Sequence, residues 1–403
     1  MSGPLADLRV IELCDAPGQL AGKLIADMGA DVIKVETPAG SGARAVGPFV
    51  KDIPGPNRSL NFWYHNTNKR SVVLDYETDE ANRAALLRLI ASADLVIEDR
   101  APGELAGHGI DLAAIRAQQP ALITCSITPF GQTGPWASFK TTDMVSLALG
   151  GPMSMNGYSP ADAPNGAPPI HGKGDQAYNT ACHFAMHGIL AALCHRDQTG
   201  SGQGVDCSMH EALTSTTEVG MPYWLYRKVN VTRQTARHAA AAATEPWYYK
   251  TKDDKGVILF GIGRDNRSWA QLKRWWQEHG LGQDFDDPRF DSPADRQPGR
   301  GSVQAAEISA EAAKFIAATT AEGIYRGGQL RDQAWGVVRT PDENVADEHW
   351  HDRGFFVATT GEGVGDPVLM PGPPYQFSAT PWELRRRAPK LGEHTAEVLA
   401  ELG

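Results

Sequence analysis

From its start the chain alternates short apolar runs with stretches of helical spacing. "DLRVIELC" gathers β-favouring apolar residues into a run suited to one buried strand. "GQLAGKLIADMGA" then spaces its apolar residues as a helix does and stops near a glycine, before "DVIKVE" returns to strand character. "RSVVLDY", the helical "DEANRAALLRLIASA" and "DLVIED" repeat this unit, and "ALITCSIT" adds a further buried strand. The alternation predicts an α/β fold with a parallel, doubly wound sheet.

Apolar spacing from Asp175 to about Arg196 again suits a helix, and "TGSGQGVDCSM" reads as a glycine-rich turn running into a strand. "SMHEALTSTTEVGMPYWLYR" reads as helix. Near residue 225 the pattern changes to a smaller α/β unit, residues 225–330, with a hairpin in "PWYYKTKDDKGVILFGI" and a Trp-rich helix "RSWAQLKRWWQEHG". "DDPRFDSPADRQPGRGS" has the composition of a surface loop within it. "VQAAEISAEAAKFIAAT" and "TAEGIYRGGQLRDQ" predict helices, and "GEHTAEVLAELG" a last helix with a glycine stop.

A length of 403 residues, 41% hydrophobic and 21% charged, accommodates two domains with real cores. The net charge of −10 opposes the broad basic surface of nucleic-acid or anionic-membrane binding, so an anionic ligand has to be held locally. No stretch is apolar enough to span a bilayer, and a cytoplasmic protein is the simplest expectation. Cys14, Cys125, Cys182, Cys194 and Cys207 show no CxxC spacing, which predicts reduced core residues and neither zinc nor disulfides.

The turn "ELCDAPGQLAGKL" offers a helix N-terminus to a phosphate, although it has neither GxGxxG nor a P-loop. Asp175, after Gly174 and before a helix, is locally a favoured N-cap. The same place suits a carboxylate nucleophile kept ionised by helix-end potential, and local sequence leaves both roles open. Asp143 reads as another cap or as an acid that orients a catalytic group, and Lys140 as a surface charge or an anion anchor. His171, His183, His187 and His195 carry no metal-ligand spacing, so no metal is expected. Trp247, Tyr248, Tyr249, Trp269, Trp275 and Trp276 line either an acyl pocket or, as such aromatics more often do, a core.

"PLADLRVIEL", "MGADVIKVE", "NKRSVVLD", "ADLVIED", "FGQTGP", "HGILAALCHRDQTGSGQGVDCSMHEAL", "DRGFF" and "LGEHTAEVLAEL" follow one another across almost the whole chain. This ordered set resembles the family III CoA-transferases, a group that also contains α-methylacyl-CoA racemases. The resemblance implies a large Rossmann-like domain built from both chain ends: residues 1–224, then 331–403 returning after the small domain. It also implies an interlocked homodimer that moves CoA from an acyl-CoA donor to a carboxylic acid, without metal. By the same match Asp175 is the nucleophile at the Gly174 turn and would pass through aspartyl anhydride and aspartyl-CoA thioester intermediates.

The matched CoA contacts are Pro17, Gly18, Leu74, Asp75, Tyr76, Asp99, Arg100, Ala101 and Lys140, several through backbone. A family arginine after "IKVE" is Thr37 here, so Arg44 is expected to supply that phosphate contact. A glycine-rich mobile loop of the formyl/oxalate enzymes is replaced by Ala239 to Ala243, which lack glycine's left-handed freedom. The racemase branch has a histidine just before the acid matching Asp143, whereas this chain has Thr142, a poor proton acceptor at neutral pH. Transfer is therefore preferred to racemisation, with a non-catalytic acyl-CoA-binding subunit as a further alternative.

Overall fold

Parallel strands with helical crossovers form the first of two units. The computed structural model describes residues 3–162, 166–217, 219–296 and 302–403. In chain order the elements are β1 (Arg9–Leu13), α1 (Gln19–Asp27), β2 (Asp31–Glu36), α2 (Leu60–His65), β3 (Lys69–Val73) and α3 (Glu80–Ala91). After them come β4 (Leu95–Glu98), α4 (Glu104–Gly107), α5 (Leu112–Gln118), β5 (Ile123–Thr128) and α6 (Asp143–Leu149). The helical turn α7 (Pro152–Met155) precedes α8 (Gln176–Thr199), β6 (Gly204–Ser208) and α9 (Met209–Ser215).

The strands stand in the order β3-β2-β1-β4-β5-β6, every neighbouring pair parallel. The order reverses between β1 and β4, the switch point at which such sheets open a crevice beyond their strand ends. Ile11, Leu13, Ile33, Val35, Val72 and Val96 pack with Leu86, Leu89 and Ile90 of α3 in one core. The chain end closes the β3 edge: Arg70 pairs with Asp31, Glu397 and Glu401, and Thr395 Oγ1 accepts the Val73 amide at 3.0 Å.

Three charges lie within this core. Glu12 faces Lys34 at 2.8 Å and Lys69 at 2.6 Å, all three fully buried. Burial pushes Lys69 down to about 8, whereas Glu12 and Glu36 outweigh burial and raise Lys34. Gly22 is needed beside them, because a Cβ there would fall 1.7 Å from Glu12 Oε2.

Chain contacts divide the molecule into residues 1–150, 172–216 and 348–403 on one hand and residues 151–171 and 217–347 on the other. The second unit therefore takes up 151–171 as well. It also runs past 330, because β11 pairs with β10 to fill out its sheet. Its strands are β7 (Thr232–Gln234), β8 (Arg237–Ala240), β9 (Tyr248–Lys250), β10 (Gly256–Leu259) and β11 (Trp335–Val338). The hairpin β12 (Phe356–Thr359) and β13 (Val368–Pro371) belongs to the first unit.

Several expectations are resolved or changed here. The single helix expected over "SMHEALTSTTEVGMPYWLYR" stops at Ser215, and a π-helical turn covers Tyr223–Arg227. Ala239 and Ala240 lie in β8, paired with β7, so part of the alanine run is strand. Trp269, Trp275 and Trp276 form the second unit's core with Phe285, Phe315 and Trp335, while Trp247 packs on Phe260. In the expected surface loop, Phe290 and Arg296 are buried, and its residues 297–301 lie outside the described residues. Cys194 is exposed, whereas the other four cysteines are buried and free. Among the described residues no helix is long and apolar enough to cross a membrane.

Candidate active site

Helix α8 begins with a division of labour between two acids. Asp175 holds the N-cap position in the left-handed region, φ 55°, and its side chain caps nothing. The cap comes from another element: Asp143 Oδ1, on the first residue of α6, accepts the Ala177 amide at 2.8 Å. The Asp143 amide in turn donates to the Tyr178 hydroxyl at 3.1 Å. Asp143→Ala should cost about 1 kcal/mol of stability, and Asp143→Asn, which keeps an acceptor oxygen, should recover most of it in urea titrations.

Relieved of capping, the half-buried Asp175 carboxylate accepts from Asn61 Nδ2 at 3.4 Å at the start of α8. Its backbone is tied down by Asn179, whose amide donates to Asp175 O at 2.8 Å and whose Nδ2 donates to Gly174 O at 2.9 Å. Gly174, at φ +91°, makes the turn into this position. His65, one turn after Asn61, donates from Nδ1 to Asn61 O at 2.9 Å. Burial pushes its ring down to about 4, so it faces Asp175 uncharged at neutral pH. Burial, and then the nearby Asp143, Asp175 and Asp99, raise the Tyr178 hydroxyl.

The switch point meets this site from the other side. Asp99, just beyond β4, accepts the Asp15 and Gly18 amides, each at 2.9 Å. Two donors of the first βα turn are thereby held by a carboxylate of the same chain. Arg100 pairs with Asp15 at 3.3 Å, and Cys182 of α8 donates its thiol to Pro17 O at 3.2 Å. Leu74 and Tyr76 point their side chains into the core, Asp75 accepts the Thr78 hydroxyl at 2.5 Å, and the Ala101 amide donates to Glu104 at 3.3 Å. Lys140 is exposed on the segment before α6 and makes no ion pair among the described residues.

The expectation for Arg44 is corrected. Its guanidinium is buried, bonds Glu36 twice at 2.6 and 2.7 Å, donates to Pro56 O, and lies 3.9 Å from the Phe62 ring centre. It has become a structural clamp and no longer presents a free cation to a phosphate. His183, His187 and His195 are exposed along α8, and among the described residues no group of three or more His, Cys, Asp or Glu is gathered for a metal.

Beside the switch point a cavity of about 410 Å³ is lined by Glu98, Asp111, Arg116, Thr124 and Asp206. Burial is the main cause pushing the Glu98 carboxyl up to about 7, against the opposing Ser126 and Arg100 bonds. Since the folded state then holds a proton that the unfolded state releases near 4.5, this contribution is full below that pH. It is lost as pH rises through about 7. Glu98→Gln should flatten that part of the stability profile, a change of up to about 3 kcal/mol in urea titrations across pH 4–8.

A parallel α/β sheet with a switch point, together with an acid at a helix start whose side chain makes no cap, is the frame of a ligand-binding α/β protein. The sequence profile of CoA-transferase family III matches residues 5–395, and the chain belongs to that family. It is 34% identical over 407 residues to the succinate–glutarate CoA-transferase of Agrobacterium fabrum, covering 99% of this chain and 96% of that one. It is 31% identical over 406 residues to the succinyl-CoA:(R)-benzylsuccinate CoA-transferase subunit BbsE of Thauera aromatica, covering 100% and 95%. A CaiB/BaiF family protein from Brucella suis superposes with a TM-score of 0.83 at 29% identity, over 100% of both chains. The protein is thus a CoA-transferase acting between a CoA thioester and an acid.

Asn61, Gln19, His65 and Tyr178 escaped sequence reasoning. Asn61 precedes "FWYHNTNKR" without any local signature, and its approach to Asp175 spans 114 residues of chain.

Proposed function

We propose that Asp175 is the nucleophile of this CoA-transferase. Its carboxylate attacks the donor thioester carbonyl, forming an aspartyl-acyl anhydride and expelling CoA thiolate. The thiolate attacks the aspartyl carbonyl, giving an aspartyl-CoA thioester and releasing the donor acid, which departs with one Asp175 oxygen. The acceptor carboxylate then attacks this thioester to form a second anhydride and free the thiolate. Attack of the thiolate on the acceptor carbonyl yields the new acyl-CoA and restores Asp175. The observation that carries this reading is the transfer of capping from Asp175 to Asp143, which leaves the first carboxylate available at a positive helix end.

The names of the relatives support a succinyl-type thioester as donor and a dicarboxylic acid as acceptor. Lys140, exposed and unpaired among the described residues, suits a CoA phosphate, while Pro17, Gly18, Leu74, Asp75, Tyr76, Asp99, Arg100 and Ala101 would line the path of the CoA moiety. Met144, Val145 and Leu149 on α6 and Phe184 on α8 are exposed apolar side chains, which favours a homodimer, read here as interlocked and cytoplasmic. Racemisation is disfavoured because the Thr142 hydroxyl serves as the cap of α6, accepting the Val145 amide at 3.4 Å.

Incubation with succinyl-CoA and hydroxylamine, followed by peptide mass analysis, tests the reading: a hydroxamate at Asp175 supports it. Exchange of α-deuterium without that adduct would favour racemisation, and neither signal would leave a binding subunit.

A further inference from the structure

We propose that Asn61 is a positioning residue for Asp175, keyed by a one-way chain of carboxamides that starts at the buried Lys69 ammonium. Lys69 Nζ donates to Asn66 Oδ1 at 3.0 Å, and Asn66 Nδ2 donates to Gln19 Oε1 at 3.0 Å. Gln19 Nε2 donates to Asn61 Oδ1 at 3.3 Å, and Asn61 Nδ2 donates to Asp175 Oδ2 at 3.4 Å.

The direction of this chain follows from its ends. An ammonium only donates and an ionised carboxylate only accepts, so each amide between them has a single orientation that satisfies both neighbours. Other bonds reinforce that orientation: Asn66 Nδ2 also donates to Phe62 O at 3.0 Å, and Lys69 Nζ to Gln19 O at 2.8 Å. Lys69, Asn66 and Gln19 are all but excluded from solvent, being 0%, 0% and 1% exposed, so water cannot readily replace a broken link. The aligned dipoles carry positive potential outward from the core to Asp175, and Asn61 engages one oxygen, leaving Oδ1 for attack. The inference rests on the nucleophile reading above and adds what holds that nucleophile.

Single-turnover formation of the Asp175 adduct from succinyl-CoA tests it. Asn61→Ala should slow adduct formation about 10- to 100-fold, while KM for the thioester changes by less than about threefold. Asn61→Asp keeps the shape but faces Asp175 with an acceptor and a like charge, so it should be slower still. Gln19→Met should break the chain with a smaller loss. Gln19→Glu should exceed it, because a carboxylate there accepts from Asn66 and also draws Asn61 Nδ2 toward itself, away from Asp175. Adduct rates within about twofold of wild type in folded Asn61→Ala and Gln19→Glu proteins would overturn the positioning role alone. Absence of an adduct in the wild type would instead overturn the nucleophile reading, and the positioning role with it.

Discussion

Asp175→Asn should abolish CoA transfer and leave the fold in place. Asparagine keeps the shape and tolerates the left-handed backbone at φ 55°, yet its amide cannot form the anhydride. Loss of the nucleophile should lower kcat by at least about 10⁴-fold, as in other enzymes whose covalent residue is removed. Because the α8 cap belongs to Asp143, urea unfolding should shift by less than about 0.5 kcal/mol. Asp175→Ala should be equally inactive but less stable by about 1–2 kcal/mol, since alanine fits the left-handed region poorly. A local capping residue would give the reverse pattern, lost stability and retained turnover.

The second large effect lies away from the chemistry. Glu12→Gln removes the carboxylate set between Lys34 and Lys69 and leaves two buried ammonium groups facing a neutral amide. Breaking a buried ion cluster from one side costs about 3–5 kcal/mol, and urea unfolding at pH 7 should show it. Lys69, already pushed down to about 8 by burial, should recover part of the loss by shedding its proton. Since Lys69 also starts the amide chain toward Asp175, a measurable fall in adduct rate should accompany the lost stability.

The sheet was legible because each strand and crossover announces its own period. "DVIKVE" is β2 residue for residue, and "DEANRAALLRLIASA" holds α3 between its Asp79 cap and Ser92. Where a helix depends on its surroundings the pattern misled: the run after Ser208 has no continuous apolar stripe, and it breaks at Thr216. The extent of the second unit was hidden for a similar reason, because residues 151–171 join it through contacts distant in sequence, such as those of Arg233 with Tyr158 O and Ala167 O.

At Asp175 the whole-chain resemblance points to a nucleophile, while local rules leave cap and nucleophile both open. What the fold adds is Asp143, 34 residues before Ala177, taking the Ala177 amide so that the Asp175 side chain does not cap α8. N-cap preference describes a residue and its own helix, so it cannot register a cap delivered by another element. Arg44 shows the converse: a cation eight residues after Glu36 looks available in sequence, and is consumed by that same Glu36 in the fold.

Oxygen tracing tests covalent transfer through Asp175 most directly. Wild-type enzyme and succinyl-CoA are mixed with one equivalent of an acceptor acid carrying ¹⁸O in both carboxylate oxygens, and the digest is weighed after a single turnover. The route through two anhydrides returns one labelled oxygen to the enzyme, so the peptide containing Asp175 should gain about 2 Da, as expected for a covalent carboxylate nucleophile. New acyl-CoA formed with no label in that peptide would contradict it.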